Sequence, residues 1–191
     1  MPYKIMLAFV RSDSAILESS WLNRAAASLA DSSDGSTPFI HAELLFMPPE
    51  AESSGDMING EACSIVYSGN VHLERKRFSR KEWFFRSMAC TKTQYDSMYQ
   101  YTKQHTGEGF NHLGYFLFWS PIRPSPMFYT WLGMKPRWFC SEIVISALQH
   151  GGLIAEDVSQ SIHPNELYKL VQRGSMADCG RNLKTITLSF V

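Results

Sequence analysis

Cys140 stands where a helix should begin, in Trp138-Phe139-Cys140-Ser141-Glu142-Ile143-Val144-Ile145-Ser146-Ala147-Leu148-Gln149-His150-Gly151-Gly152. A thiol placed there can act as a nucleophile. The first N–H groups of a helix lack partners inside it, and the helix dipole adds partial positive charge, so a thiolate is stabilised and its proton affinity lowered. Ile143, Val144, Ala147 and Leu148 recur on one face at helical spacing, and Gly151-Gly152 supplies the stop, so the residues predict an amphipathic helix. Free cysteine is also among the most buried residue types and often serves as a small hydrophobe. The chemistry therefore needs a base from elsewhere in the chain.

Histidine suits that task because its proton affinity lies near neutrality. The chain has six. His72 alternates with Val71 and Leu73 on an expected edge strand and faces solvent; His105 falls at a helix end; His150 ends the Cys140 helix, about 15 Å along the axis at ~1.5 Å per residue. His163 precedes Pro164 and marks a turn, and His112 lies in an aromatic stretch. His41 is the remaining candidate, on the expected strand Phe39-Ile40-His41-Ala42-Glu43-Leu44-Leu45-Phe46, where a rigid setting would hold its ring.

The elements that would carry these groups read as follows. Residues 3–10 form an apolar strand, too short and too soon interrupted by Arg11 and Asp13 for a signal segment. A helix follows over 14–29, with turn formers over 31–38. After the His41 strand, 47–60 reads as an exposed loop, 61–68 and 71–78 as two strands, 83–88 as another and 93–106 as a helix. Phe110 through Trp138 carries nine aromatics and four prolines, too broken for one regular element and too apolar for a solvated linker. A short helix over 164–171 and a strand over 183–190 complete the chain.

Composition bounds the possibilities. The 191 residues, 45% hydrophobic and 13% aromatic, suffice for one core, and we expect a single domain over 1–191. Eighteen basic residues balance eighteen acidic ones, which removes the field that would draw the protein to nucleic acid. Cys63, Cys90, Cys140 and Cys179 show neither a CxxC pair nor metal-ligand spacing, so we expect no metal, no organic cofactor and a reducing, cytoplasmic compartment. No apolar run approaches the roughly 18 residues of a membrane-spanning helix, while contact with a membrane surface stays open.

Taken in order, the histidine strand Phe39-Ile40-His41-Ala42-Glu43-Leu44, a second strand after it and a later helix opening Phe139-Cys140-Ser141-Glu142 resemble the permuted branch of the NlpC-type, papain-like cysteine hydrolases. Gly109-Phe110-Asn111-His112-Leu113-Gly114-Tyr115 is similar to that family's aromatic segment, Cys140-Ser141-Glu142 to its C-S-E helix start, and His163-Pro164-Asn165-Glu166-Leu167-Tyr168 to its T-P-N-D-L-Y helix. The resemblance covers most of residues 10–172. The lecithin:retinol acyltransferase group and a poxvirus protein class share the order of elements, so hydrolysis and acyl transfer both stay open.

The resemblance implies Cys140 as nucleophile and His41 as the base that takes its proton and later gives it to the leaving group. It also implies a polar residue on the next strand to orient the imidazole, and here the chain departs from the family: Ser64-Ile65-Val66-Tyr67-Ser68 holds no carboxylate or histidine. Tyr67 and Ser68 are candidates. Glu43 is an alternative, since two positions along a strand share a face about 6.5 to 7 Å apart. Glu142 belongs to the helix, whose first turn favours an acid. Phe110, Asn111, His112, Tyr115 and Trp138 either cover the core or line a groove for an apolar substrate.

The expected architecture is α+β: an antiparallel sheet, papain-like and circularly permuted by the resemblance, with the Cys140 helix packed on it. The expected function is a thiol hydrolase or acyltransferase acting on a small-molecule, peptide or lipid acyl substrate through an acyl-enzyme. A catalytically silent protein that binds lipid or peptide is the alternative, favoured by the missing third residue. No pattern in the sequence specifies an oligomeric state.

Overall fold

The computed structural model describes residues 3–14, 37–47, 55–66, 69–116 and 126–177. The helix expected over 14–29 and the strand expected over 183–190 lie outside the described residues, apart from Ser14. Five strands, β1 (Tyr3–Arg11), β2 (Phe39–Met47), β3 (Met57–Ser64), β4 (His72–Ser79) and β5 (Phe84–Cys90), form an antiparallel sheet in the order β4-β3-β2-β1-β5. The architecture is α+β.

β1 reads as an almost unbroken apolar run because both of its faces are covered. Ile5, Leu7 and Phe9 join the core beneath the helices, while Met6 and Ala8 join a second core on the opposite face. That second core exists because the sheet curls. β4 and β5 occupy opposite edges yet are joined by the short turn at 80–83, which brings Phe78 within 4.9 Å of Trp83 and 6.2 Å of Phe85, ring centre to ring centre.

β3 begins at Met57, inside the stretch read as a loop, and ends at Ser64. Cross-strand pairing overrides composition here: Met57 through Gly60 find partners in Ser79 through Lys76 of β4, and Ile58 is fully buried. β4 is an edge strand, as its charges suggest.

The helices are α1 (Lys92–Gln104), α2 (His112–Phe116), α3 (Pro126–Trp131), α4 (Cys140–His150) and α5 (Pro164–Ala177). Two-residue strands β6 (Gly109–Phe110) and β7 (Arg137–Trp138) pair in parallel within the aromatic stretch. Thr91 caps α1: its hydroxyl accepts from Gln94 N–H at 3.2 Å while the Gln94 side chain accepts from Thr91 N–H at 3.0 Å.

α4 departs from the expected amphipathic form. Every residue from Ser141 to Gln149 is buried, because the helix lies between β2, α1 and α5. Two of its buried polar residues are satisfied by distant backbone carbonyls: Ser141 Oγ donates to Ile162 O at 2.5 Å, and Gln149 Nε2 donates to Val158 O at 2.7 Å and Ala155 O at 3.0 Å. Gly152, at φ +67°, ends the helix in a conformation that favours glycine.

Gly151 lets α1 approach α4. A Cβ there would lie 2.4 Å from Met98 Cγ and 3.3 Å from Gln94 O, and Met98 is fully buried. Gly151→Ala is expected to lower stability by about 1–3 kcal/mol through overpacking. Urea unfolding checks this, and an unchanged midpoint would refute it. Among the described residues no helix is long and apolar enough to cross a membrane.

Candidate active site

β2 carries two members of the site, and its local irregularity aims them. Val10 of β1 pairs with His41, but Arg11 pairs with Phe39, so Ile40 is an extra residue directly before His41. Such bulges bend a strand and re-aim the adjacent side chain. On the other side, β3 pairs only with Leu44 through Phe46, which leaves the His41–Glu43 stretch without a β3 partner in the ladder.

Cys140 is the first residue of α4, held there by its neighbours. Phe139 has extended backbone and serves as N-cap without a capping side chain. The Glu142 carboxylate takes over: it accepts from Phe139 N–H at 2.9 Å and from Ser161 Oγ at 2.9 Å. Glu142 is thus a buried structural acid of the first turn, stabilised by the helix dipole.

The thiol of Cys140 lies close enough to the His41 ring for its charge and side chain to act on it. His41 Nε2 lies 3.1 Å from Glu43 Oε1. Trp83 flanks the imidazole edge-on at 6.1 Å between ring centres. His41 is 16% exposed at its side chain and Glu43 only 2%. A buried carboxylate requires compensation, and Lys76 of β4 supplies it, with Nζ 3.0 Å from Oε1 and 3.2 Å from Oε2.

The proton affinities follow from this arrangement. Burial alone would lower that of His41; the charge and hydrogen bond of Cys140, with those of Glu43, reverse the sign and lift its pKa from 6.5 to about 10. Burial likewise disfavours ionised Glu43, but His41 and then Lys76 overcome it and bring the carboxyl from 4.5 down to about 2. The site therefore favours imidazolium over imidazole across the neutral range. Cys63 is different: burial, reinforced by Glu43, pushes its thiol up to about 12, and burial raises Cys90 as well.

The other histidines lie apart from this chain of contacts. His72 is half-exposed, donating from Nδ1 to Asn70 O at 2.9 Å, with Nε2 3.3 Å from Glu74. His105 Nδ1 lies 2.7 Å from Glu108, and the His150 ring lies beside Tyr101 at 4.8 Å. His163 starts α5, accepting at Nδ1 from Asn165 N–H at 3.2 Å and donating its own N–H to Glu166 at 3.0 Å. Tyr168 of α5 then packs on Phe39 at 4.3 Å and hydrogen-bonds Arg86 of β5, bracing the start of β2.

Of the residues expected to line a groove, Phe110, Asn111 and Trp138 are buried. Phe110 packs edge-on against Phe139 at 5.4 Å. Asn111 accepts at Oδ1 from Gly114 N–H at 2.8 Å and from the Tyr129 hydroxyl at 2.6 Å, and its own N–H donates to Trp138 O at 3.0 Å. A Cβ on Gly114 would come within 2.7 Å of Asn111, so the turn needs glycine there. Trp138 Nε1 donates to Glu108 at 2.5 Å. These three residues brace the approach to Cys140 rather than forming an open wall. His112 is partly exposed, its ring 5.3 Å from that of Phe110. The side chain of Tyr115 lies outside the described residues, as do Tyr67 and Ser68.

Glu43, one of the options for orienting His41, stands at the ring. Lys76 was missed. Its only signal was a basic residue at a strand position that buries most of its side chain, and no periodicity distinguishes that from the neighbouring solvated charges Arg75 and Arg77. Among the described residues there is no group of three or more His, Cys, Asp or Glu arranged to hold a metal ion. In comparison with known proteins, the chain matches no family model, no curated protein and no solved structure.

Proposed function

We propose that this protein is a cysteine-dependent acyl-transfer enzyme, acting as a thiol hydrolase on an amide or ester, with a permuted papain-like arrangement of its elements. The observation that carries the reading is the juxtaposition of Cys140, at the start of a buried helix, with His41 and its Glu43 partner. The Cys140 thiolate attacks the acyl carbon, and the developing oxyanion is met by the N–H of Cys140 at the helix start, where the dipole is favourable. The His41 imidazolium gives its proton to the departing nitrogen or oxygen as the acyl–leaving-group bond breaks. Water, or another acceptor, then gives its proton back to His41 while attacking the thioester, which frees the acyl group and regenerates the thiolate. Glu43 supplies the third polar group whose absence from residues 64–68 favoured a silent binding protein.

Amide, ester and thioester probes incubated with the protein test the reading by intact-mass spectrometry. An acyl adduct on Cys140, absent from Cys140→Ala, is the expected result. The companion measurement is iodoacetamide labelling at about pH 6, where an ordinary thiol is almost wholly protonated. No adduct from any probe, together with Cys140 labelling no faster than Cys63 or Cys90, would overturn the proposal.

A further inference from the structure

We propose that Lys76 is a positioning residue of this site: it keeps the Glu43 carboxylate ionised and in place while His41 is neutral, so that the imidazolium can release its proton to the leaving group. The proposal rests on the acyl-transfer reading above.

Glu43 Oε1 is shared, 3.1 Å from His41 Nε2 and 3.0 Å from Lys76 Nζ, and Oε2 is 3.2 Å from the same ammonium. With thiolate, imidazolium, carboxylate and ammonium in sequence, charges alternate along the whole chain. During acylation two of them disappear, because the thiolate becomes a thioester and the imidazolium loses its proton. Glu43, 2% exposed, would then be a buried anion facing a neutral ring. Leaving one partner of a buried pair unpaired is strongly unfavourable. Without Lys76, that cost would hold the proton on the His41–Glu43 pair and away from the leaving group.

Among the described residues, two carboxylates meet the ammonium. Besides Glu43, Lys76 Nζ lies 3.1 Å from Glu74 Oε1, which is exposed and also contacts His72. His41 stands beyond Glu43, with Cys140 behind it, and buried Cys63 is close enough to feel the Glu43 charge. Glu74 is largely in water, where screening weakens its hold; Glu43 is not. The ammonium therefore serves chiefly the buried carboxylate.

The test compares Lys76→Met, which keeps the aliphatic stem, with Lys76→Arg, which keeps the charge. Alkylation by iodoacetamide needs the thiolate but expels iodide, which requires no proton; acylation by an amide or alkyl ester probe needs the His41 proton. Lys76→Met is expected to slow acylation about ten- to a hundredfold and alkylation by no more than about threefold, and Lys76→Arg is expected to restore acylation. In a Cys140→Ala background, NMR titration of His41 is expected to move upward by about one pH unit on Lys76→Met, because a nearby cation has been removed. Equal slowing of both reactions, or a His41 midpoint that stays or falls, would overturn the proposal. The titration arm does not need a reactive cysteine, so it decides the role of Lys76 even if no probe acylates the wild-type protein.

Discussion

Replacing His41 with alanine is expected to slow iodoacetamide labelling of Cys140 at pH 6 by about a hundredfold. An unassisted thiol with a pKa near 8.5 is ionised to less than about 1% at that pH, whereas an adjacent imidazolium favours the thiolate by opposite charge, and the higher nucleophilicity of the more basic thiolate recovers only part of the difference. Cys63 and Cys90 serve as internal controls, since burial raises both thiols and their labelling should not respond. If the His41→Ala protein labels at the wild-type rate while its fold is intact, no activated pair exists.

The same residue gives stability a pH signature. His41 has a higher pKa in the folded protein than its ordinary 6.5, so its contribution is full below about 6.5, declines above it and is gone once pH rises past about 10. Glu43 has the opposite sign: its contribution is full above about 4.5 and is lost as pH falls towards about 2. Urea unfolding of the wild type from pH 4 to 10 should therefore weaken towards the alkaline end. His41→Ala should remove that slope, and a slope that survives the substitution would assign it to other groups.

Glu142→Ala is expected to cost about 2–4 kcal/mol, which for a chain of this size is a fall in melting temperature of roughly 6–12 °C. The carboxylate receives the Phe139 N–H and the Ser161 hydroxyl, and alanine leaves both donors without it next to a buried helix start. Glu142→Gln retains an acceptor oxygen and should recover part of the loss. Because these bonds also fix the turn that presents Cys140, the alanine variant should label more slowly as well, although it touches no reacting atom. A melting temperature within 2 °C of wild type, by the same conversion less than about 1 kcal/mol, would show that the bonds contribute little.

Strands β1, β2, β4 and β5 and helices α1, α4 and α5 were legible because each announces itself locally, through apolar runs, caps or terminal glycines. The start of β3 was not. Met57-Ile58-Asn59-Gly60 has no strand pattern of its own and becomes one only by pairing with β4. α4 was legible as a helix but not as a buried one, since its four apolar positions describe a stripe while Ser141, Ser146 and Gln149 look like a solvated face. Hydrogen bonds from Ser141 and Gln149 to distant backbone carbonyls make their burial possible, and no local pattern encodes those partners.

For the site, the sequence by itself determined the chemistry on offer. A cysteine at a helix start and a histidine on a strand are local facts, set by capping and alternation. Only the tertiary structure decided that they meet, and which groups support them. Ile40 is accommodated as a bulge because β1 and β2 must both stay paired around it, and the ring of His41 reaches Cys140 and Glu43 from that irregular turn of the strand. Lys76 of β4 reaches Glu43 of β2 from 33 positions away, past the intervening β3. Charges so distant in sequence become partners only when burial strips them of water, since in solvent their attraction at the same separation would be about 1 kcal/mol and easily lost.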